Sequence, residues 1–208
     1  MRYNLTELIA RGEGTRLEFK STIHTAHRIA RTLTAFSNTS GGLLLIGVSD
    51  DGRVSGVESE LYEMQKIEKA TDLLIDPAIS VSYEVIKELG RQVILIEVAE
   101  SDEKPHYAID EKGKRTIYVR AKDKSVPTNK LILTNLVTPD GPLLQSSNVR
   151  NLIQVLRKTD FITAKQYAQL VNISEYRASK LLHQLTGQGL LLMIDKPRPV
   201  RFSLKISE

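Results

Sequence analysis

The sequence predicts an α+β protein, a mixed-sheet domain followed by a small helical domain that closes with a strand pair. Three observations predict it. Residues 1–128 interleave two amphipathic helix patterns with several short strand patterns; composition shifts from residue 122, with Pro127, Pro139, Gly141, Pro142, Ser146 and Ser147; and residues 148–208 hold three helical patterns and two strands. The expected domains are therefore 1–128 and 148–208, joined by a linker at 129–147. A chain of 208 residues with 41% hydrophobic and 26% charged residues can bury a core in each, and collagen, disorder and membrane spans are excluded. It has no cysteine, which excludes a disulfide framework, a thiol nucleophile and zinc held by sulfur. The opening MRYNLTELIARGEG lacks an apolar run of about seven residues, so no signal peptide is expected and the cytoplasm is the expected location.

Leu17 to Lys20 alternates as a strand, and Ile23, Ala26, Ala30, Leu33 and Phe36 then mark one face of a helix. Asn38-Thr39-Ser40-Gly41-Gly42 should end that helix, with the two glycines supplying positive φ. The run 43–48, LLLIGV, reads as a strand buried on both faces, Asp50-Asp51-Gly52 as a turn and Val54 to Val57 as a returning strand. Residues 60–75 place Leu61, Met64, Ile67, Ala70, Leu73 and Leu74 on one stripe and stop at Asp76-Pro77. Hairpins follow at Ile79 to Lys87 with Gln92 to Ala99, and at His106 to Ile109 with Thr116 to Ala121. A short helix-like stretch near Leu131 to Leu136 lies in the linker region.

Charge is unevenly placed. From Asn148 onward there are ten Lys and Arg against four Asp and Glu, whereas residues 1–147 hold 19 against 21, so all the excess positive charge lies in the last 61 residues. That asymmetry points to an acidic partner such as nucleic acid. Helices are expected at Val149 to Arg157, Ala164 to Val171 and Glu175 to Thr186, with strands at Leu190 to Ile194 and Val200 to Ile206; Thr163 and Ser174 are placed to cap the second and third helices. Helix, tight turn, helix and a hairpin with a basic tip is the winged helix-turn-helix arrangement, whose third helix enters the major groove. Ala178, Leu181, Leu182 and Leu185 should face the core, leaving Tyr176, Arg177, Ser179, Lys180, His183 and Gln184 outside. Arg177 and Lys180 are candidate contacts to phosphate or guanine, Gln184 to adenine, and Lys196, Arg198 and Arg201 to the backbone. Exposed cations on such modules also serve solvation or protein contacts.

The stretches EGTRLEFK (13–20) and AFSNTSGGLLLIGVSDDGRVSG (35–56), together with Pro105-His106 and Ile117-Tyr118-Val119-Arg120, resemble the Schlafen AlbA-type family (AlbA_2), regarded as DNA-binding and once labelled a divergent AAA-type ATPase domain. In bacteria such domains commonly precede a helix-turn-helix tail in transcriptional regulators. Read by itself, the Asn38 to Gly42 loop either presents N–H groups to a phosphate through Asn38, Gly41 and Gly42, or caps and packs the helix. No P-loop or G-x-G-x-x-G pattern supports ATP hydrolysis.

Family members that cut transfer RNA use three carboxylates, and the resemblance maps these onto Glu13, Glu18 and Asp50. It thereby implies a Mg²⁺ or Mn²⁺ site for a metal-dependent endoribonuclease. Ser49 stands where the family usually has another acid, no zinc-binding cysteines exist, and there is one such domain where those enzymes carry two. Alternatively Glu18 pairs with Lys20, Arg16 or Arg120. His24, Arg28 and Arg31 recur at i, i+4 and i+7, a stripe that either holds phosphates or is simply solvated. The expectation is a homodimeric DNA-binding transcriptional regulator, with metal-dependent RNA cleavage and then ATP binding as alternatives.

Overall fold

Asn4 accepts the N–H groups of Thr6 and Glu7 and so starts helix α1 (Leu5–Arg11), which stops at Gly12. In the computed structural model, which describes residues 3–88, 90–128, 146–195 and 198–205, the chain divides into two units, Met1–Ser125 and Val126–Glu208. After α1 the first unit contains β1 (Leu17–Lys20), α2 (Ala26–Asn38), β2 (Gly42–Ile46), α3 (Glu60–Leu73), β3 (Ile75–Asp76), β4 (Val81–Glu88), β5 (Arg91–Val98), β6 (Tyr107–Ile109) and β7 (Arg115–Ala121). The division falls within β8 (Lys124–Thr128).

One sheet has the order β1-β2-β5-β4, with β1 parallel to β2 and the other pairs antiparallel; a second has the order β3-β6-β7-β8. Parallel pairing of β1 and β2 requires a crossover, and α2 is that crossover. Alternate residues of β2 and β5 then enter two different cores. Leu44, Ile46, Ile94, Ile96 and Val98 pack with α2 and α3, while Leu45, Val93 and Leu95 pack with Leu17, Phe19 and α1 residues Leu5 and Leu8. This explains the unbroken apolar run of β2.

Helix α2 also packs against β6 and β7 of the second sheet. Ten of its 13 residues are buried as a result, including Thr32, Thr34, Ser37 and Asn38, so a single apolar stripe understates its burial. Ile23 lies before the helix, because Thr25 is its cap and accepts from Arg28 N–H. Of the two glycines after it only Gly41 has positive φ, +68°, while Gly42 begins β2.

Two further expectations are corrected. Val54 makes only an isolated bridge to Val48, so there is no returning strand at 54–57. Leu61 and Leu73 are 69% and 67% exposed, because α3 turns Glu63, Met64, Ile67, Ala70 and Thr71 inward instead. Glu63 can be buried because Thr22 Oγ1 and Ile23 N–H donate to it and Lys66 pairs with it at 3.4 Å. Strand β8 occupies part of the stretch where composition shifts, and the helix-like stretch near 131–136 lies outside the described residues.

The second unit contains α4 (Ser147–Lys158), β9 (Ile162–Thr163), α5 (Ala164–Val171), α6 (Glu175–Gly187), β10 (Leu191–Ile194) and β11 (Arg201–Leu204), with sheet order β10-β11-β9. Thr163 forms a reciprocal capping box with Gln166, and Ser174 Oγ accepts from Arg177 N–H. Asn172 takes the left-handed conformation, φ 52° and ψ 53°, and so turns α5 into α6 within three residues. Val149, Leu152, Leu156, Tyr167, Leu182, Leu185 and Phe202 fill the core. Tyr167 donates its hydroxyl to Asn148 O at 3.2 Å, and burial pushes the phenol up to about 12.

Candidate functional site

Glu18 lies on β1 at 7% exposure, and its charge is matched locally. One carboxylate oxygen accepts from Arg120, and the other lies 2.9 Å from Lys20 Nζ. Arg120 is 0% exposed. Its guanidinium also donates to Gly14 O at 2.8 Å, Thr15 O at 3.3 Å and Ser125 Oγ at 3.0 Å, and lies over the Phe36 ring. The forked donor set explains why arginine is suited to this position: one planar cation joins β7 to β1 and to the turn before it.

Glu13 Oε1 accepts from Phe19 N–H at 2.8 Å, which holds that half-buried carboxylate beside β1. Burial raises its pKa above the ordinary carboxylate value, and the charges of Glu18 and Asp50 raise it further, against the lowering effects of the Phe19 bond and Lys20. Asp50 is exposed. The turn after β2 is organised by Asp51, which accepts from Ser49 Oγ at 2.5 Å and Arg53 Nε at 2.6 Å; those bonds, Ser49 first, hold its pKa low.

The three acids therefore share a neighbourhood without forming a ligand set. Glu18 is engaged by two cations, and among the described residues no group of three or more His, Asp or Glu side chains is placed to hold a metal ion. These residues do not fit the Mg²⁺ or Mn²⁺ site that the mapping onto Glu13, Glu18 and Asp50 implies.

Glu13 gives a pH prediction. A carboxyl whose folded pKa is raised binds its proton more tightly in the folded chain, so its ionisation reduces stability as pH rises from 4.5 through the raised value. Glu13→Gln, which keeps an oxygen for Phe19 N–H, should raise the melting temperature at pH 7. The gain should vanish as pH falls toward 4.5; melts of both proteins across that range check it, and a gain that grows on acidification contradicts it.

The Asn38 to Gly42 loop is a packing device, which corrects its reading as a phosphate cradle. Asn38 is 2% exposed; its amide donates to His106 O at 2.9 Å and Tyr118 O at 3.0 Å and accepts from His106 N–H at 2.9 Å. Thr39 and Gly41 N–H both donate to Phe36 O. A Cβ on Gly41 would lie 2.7 Å from Val98 O, and one on Gly42 would enter the Phe36 ring. The Thr39 and Gly41 N–H groups are thus spent on Phe36 O and are not presented to an anion. His106 is likewise spent internally, against Pro77 O and Ser101 Oγ, both at 2.7 Å.

Of the proposed cationic stripe, His24 precedes the helix, so only Arg28 and Arg31 lie on α2, one turn apart and both exposed. Arg31 lies 5.9 Å from the Tyr118 ring centroid.

In the second unit, α6 buries Ala178, Leu182 and Leu185, with Leu181 partly buried. Tyr176 is 77% exposed, and Arg177, Lys180 and Gln184 are exposed with it. Among the described residues no salt bridge involves Arg177 or Lys180. His183, though exposed, places its ring edge-on to Phe202 at 5.4 Å and its Nδ1 2.8 Å from Ser179 O. In the hairpin, Arg198 is exposed, Arg201 is half-buried over the Phe161 ring at 4.7 Å, and Lys196 lies outside the described residues.

Residues 13–129 match the family model described as Schlafen, AlbA_2. The chain belongs to that family. No curated protein matches it. Among solved structures it is similar to the DIP2311 protein from Corynebacterium diphtheriae, at 22% identity and a TM-score of 0.40 over 60% of this chain; it spans about a quarter, 25%, of that chain. It is also similar to the N-terminal domain of a RecG-related protein from Nitrosomonas europaea, at 21% identity and a TM-score of 0.47, covering 57% of this chain and 88% of that one.

In this Schlafen AlbA_2 chain the matched segment contains both Glu18 and Arg120. The sequence offers Arg120 as one of three candidate partners of Glu18, whereas its complete burial has no counterpart in the local sequence. The clamp of Asn38 on β6 and β7 was missed because an asparagine before glycines carries a strong helix-end signal that masks a long-range one.

Proposed function

We propose that this chain is a nucleic-acid-binding protein that acts as a homodimeric, DNA-binding transcriptional regulator, with its second unit a winged helix-turn-helix. The observation that carries this reading is α6, which presents Arg177, Lys180 and Gln184 to solvent over a sealed apolar underside. Helix α5, the three-residue turn, α6 and the β10–β11 hairpin follow the order of such a module, and the basic excess after Asn148 supplies the charge. Family membership agrees with a nucleic-acid partner. Duplex DNA is favoured over RNA because a helix of this length with an exposed basic end fits the major groove of B-form DNA, whereas the deep major groove of RNA is closed to it.

Titration of labelled duplex DNA with the whole chain tests this. Binding should weaken by about 0.9 logarithmic units in affinity per tenfold salt increase for each phosphate neutralised. Absence of binding to any duplex at low ionic strength overturns the reading; tighter, salt-sensitive binding to transcripts than to duplexes replaces DNA by RNA.

A further inference from the structure

We propose that β4 is the edge through which two copies of this chain join, antiparallel, about a two-fold axis passing through Val85. The inference rests on the homodimer reading above and gives that homodimer its interface.

Strand β4 ends the sheet β1-β2-β5-β4, and among the described residues its strand partner is β5 alone. Its eight residues pair with β5 without interruption, from Val81 opposite Val98 to Glu88 opposite Arg91, so no bulge disturbs its outer side. An edge of this length presents a row of backbone donors and acceptors, and proteins blunt such edges with proline, bulges, short strands or lysine. Here the edge carries one lysine, Lys87, and two glutamates, Glu84 and Glu88. Tyr83, in the strand's first half, is 52% exposed.

A two-fold axis between antiparallel strands stands normal to the sheet, so every side chain keeps its face and only residues of equal parity oppose each other. That leaves few registers. An axis through Glu84 sets Glu84 against its own copy, and an axis through Ile86 sets Glu84 against Glu88; both place like charges in direct opposition. An axis through Val85 does neither. It sets Tyr83 beside Lys87 of the partner subunit, Ser82 beside the partner's Glu88, and Glu84 beside the partner's Ile86. Tyr83 and Lys87 are both exposed and share a face, so the cation can lie on the ring from across the junction. In this register the one lysine that would blunt the edge gains a partner, and the two four-stranded sheets become one of eight.

The absence of native cysteine makes the register measurable. Directly opposed Cα atoms of paired strands are about 4.5–5.5 Å apart, inside the disulfide range. Val85→Cys should therefore give a dimer linked across the axis under mild oxidation. Tyr83→Cys, whose two copies would stand about 13 Å apart along the strands, should not. Sedimentation supplies a second measurement. Tyr83→Lys, which faces Lys87 of the partner subunit, should weaken self-association on the order of tenfold, and adding Lys87→Glu should restore it.

A wild-type chain that stays monomeric at high concentration overturns both this interface and the homodimer. If the wild type is a dimer, failure of the Val85→Cys variant to cross-link, or cross-linking of the Tyr83→Cys variant, overturns the β4 edge alone. Duplex binding, measured on the same samples, separates either result from failure of the DNA reading.

Discussion

Arg120→Met is expected to destabilise the first unit by about 3–5 kcal/mol, the usual result of removing one partner from a buried ion pair. Glu18 would keep Lys20 and the Thr32 hydroxyl, and the Gly14 and Thr15 carbonyls and Ser125 Oγ would lose their donor in a place where Arg120 itself is 0% exposed. Methionine keeps an unbranched apolar chain at the position but removes the guanidinium that lies over Phe36, so most of the loss is electrostatic and polar. Pairing it with Glu18→Leu should recover much of the loss, because the stranded carboxylate is then absent as well. Denaturant unfolding of the two single variants and the double variant measures the coupling. A loss under about 1 kcal/mol for Arg120→Met would place the pair with solvent-screened bridges and contradict its structural role.

The double substitution Arg177→Glu with Lys180→Glu is expected to reduce duplex affinity by roughly 100- to 1,000-fold at moderate salt, from two lost contacts of about 1–3 kcal/mol each. Both side chains project from the exposed side of α6, so the melting temperature should be unchanged. The slope of affinity against salt should also flatten, since fewer phosphates are neutralised. Arg28→Glu on α2 is the control that separates the two units. If it weakens duplex binding as strongly as expected for the α6 pair while the α6 pair has no effect, the first unit carries the DNA contact.

Local signals account for most of the element boundaries. Thr163 and Ser174 announce their helices because a hydroxyl at the cap has one use, to accept the first free N–H groups, whatever the rest of the chain does. The β4–β5 hairpin and β1 follow from alternation, which needs only neighbours two apart. The same local view fails on α3. Its stripe through Leu61 and Leu73 does not face the core, because Glu63 is drawn inward by donors about 40 residues away at Thr22 and Ile23.

The candidate site divides along the same line. Exposure of Arg177, Lys180 and Gln184 follows from helical periodicity and the leucines beneath them. The acids were legible as residues before and on β1 and in the turn after β2, yet whether they hold a cation or pair with one depends on Arg120, 102 positions away from Glu18 in the chain.

By itself, the sequence determined where the chain changes from a near-neutral sheet-rich segment to a basic helical one, where its helices are capped, and which face of α6 is polar. Charge, capping and periodicity act over a few residues and survive without knowledge of what packs where. Only the tertiary structure decided that α2 lies between two sheets, that Asn38 and Gly41 close a packed joint, and that Glu18 is answered by Arg120. Those outcomes belong to side chains brought together from distant positions, where burial removes water and each polar group must find its partner inside the protein.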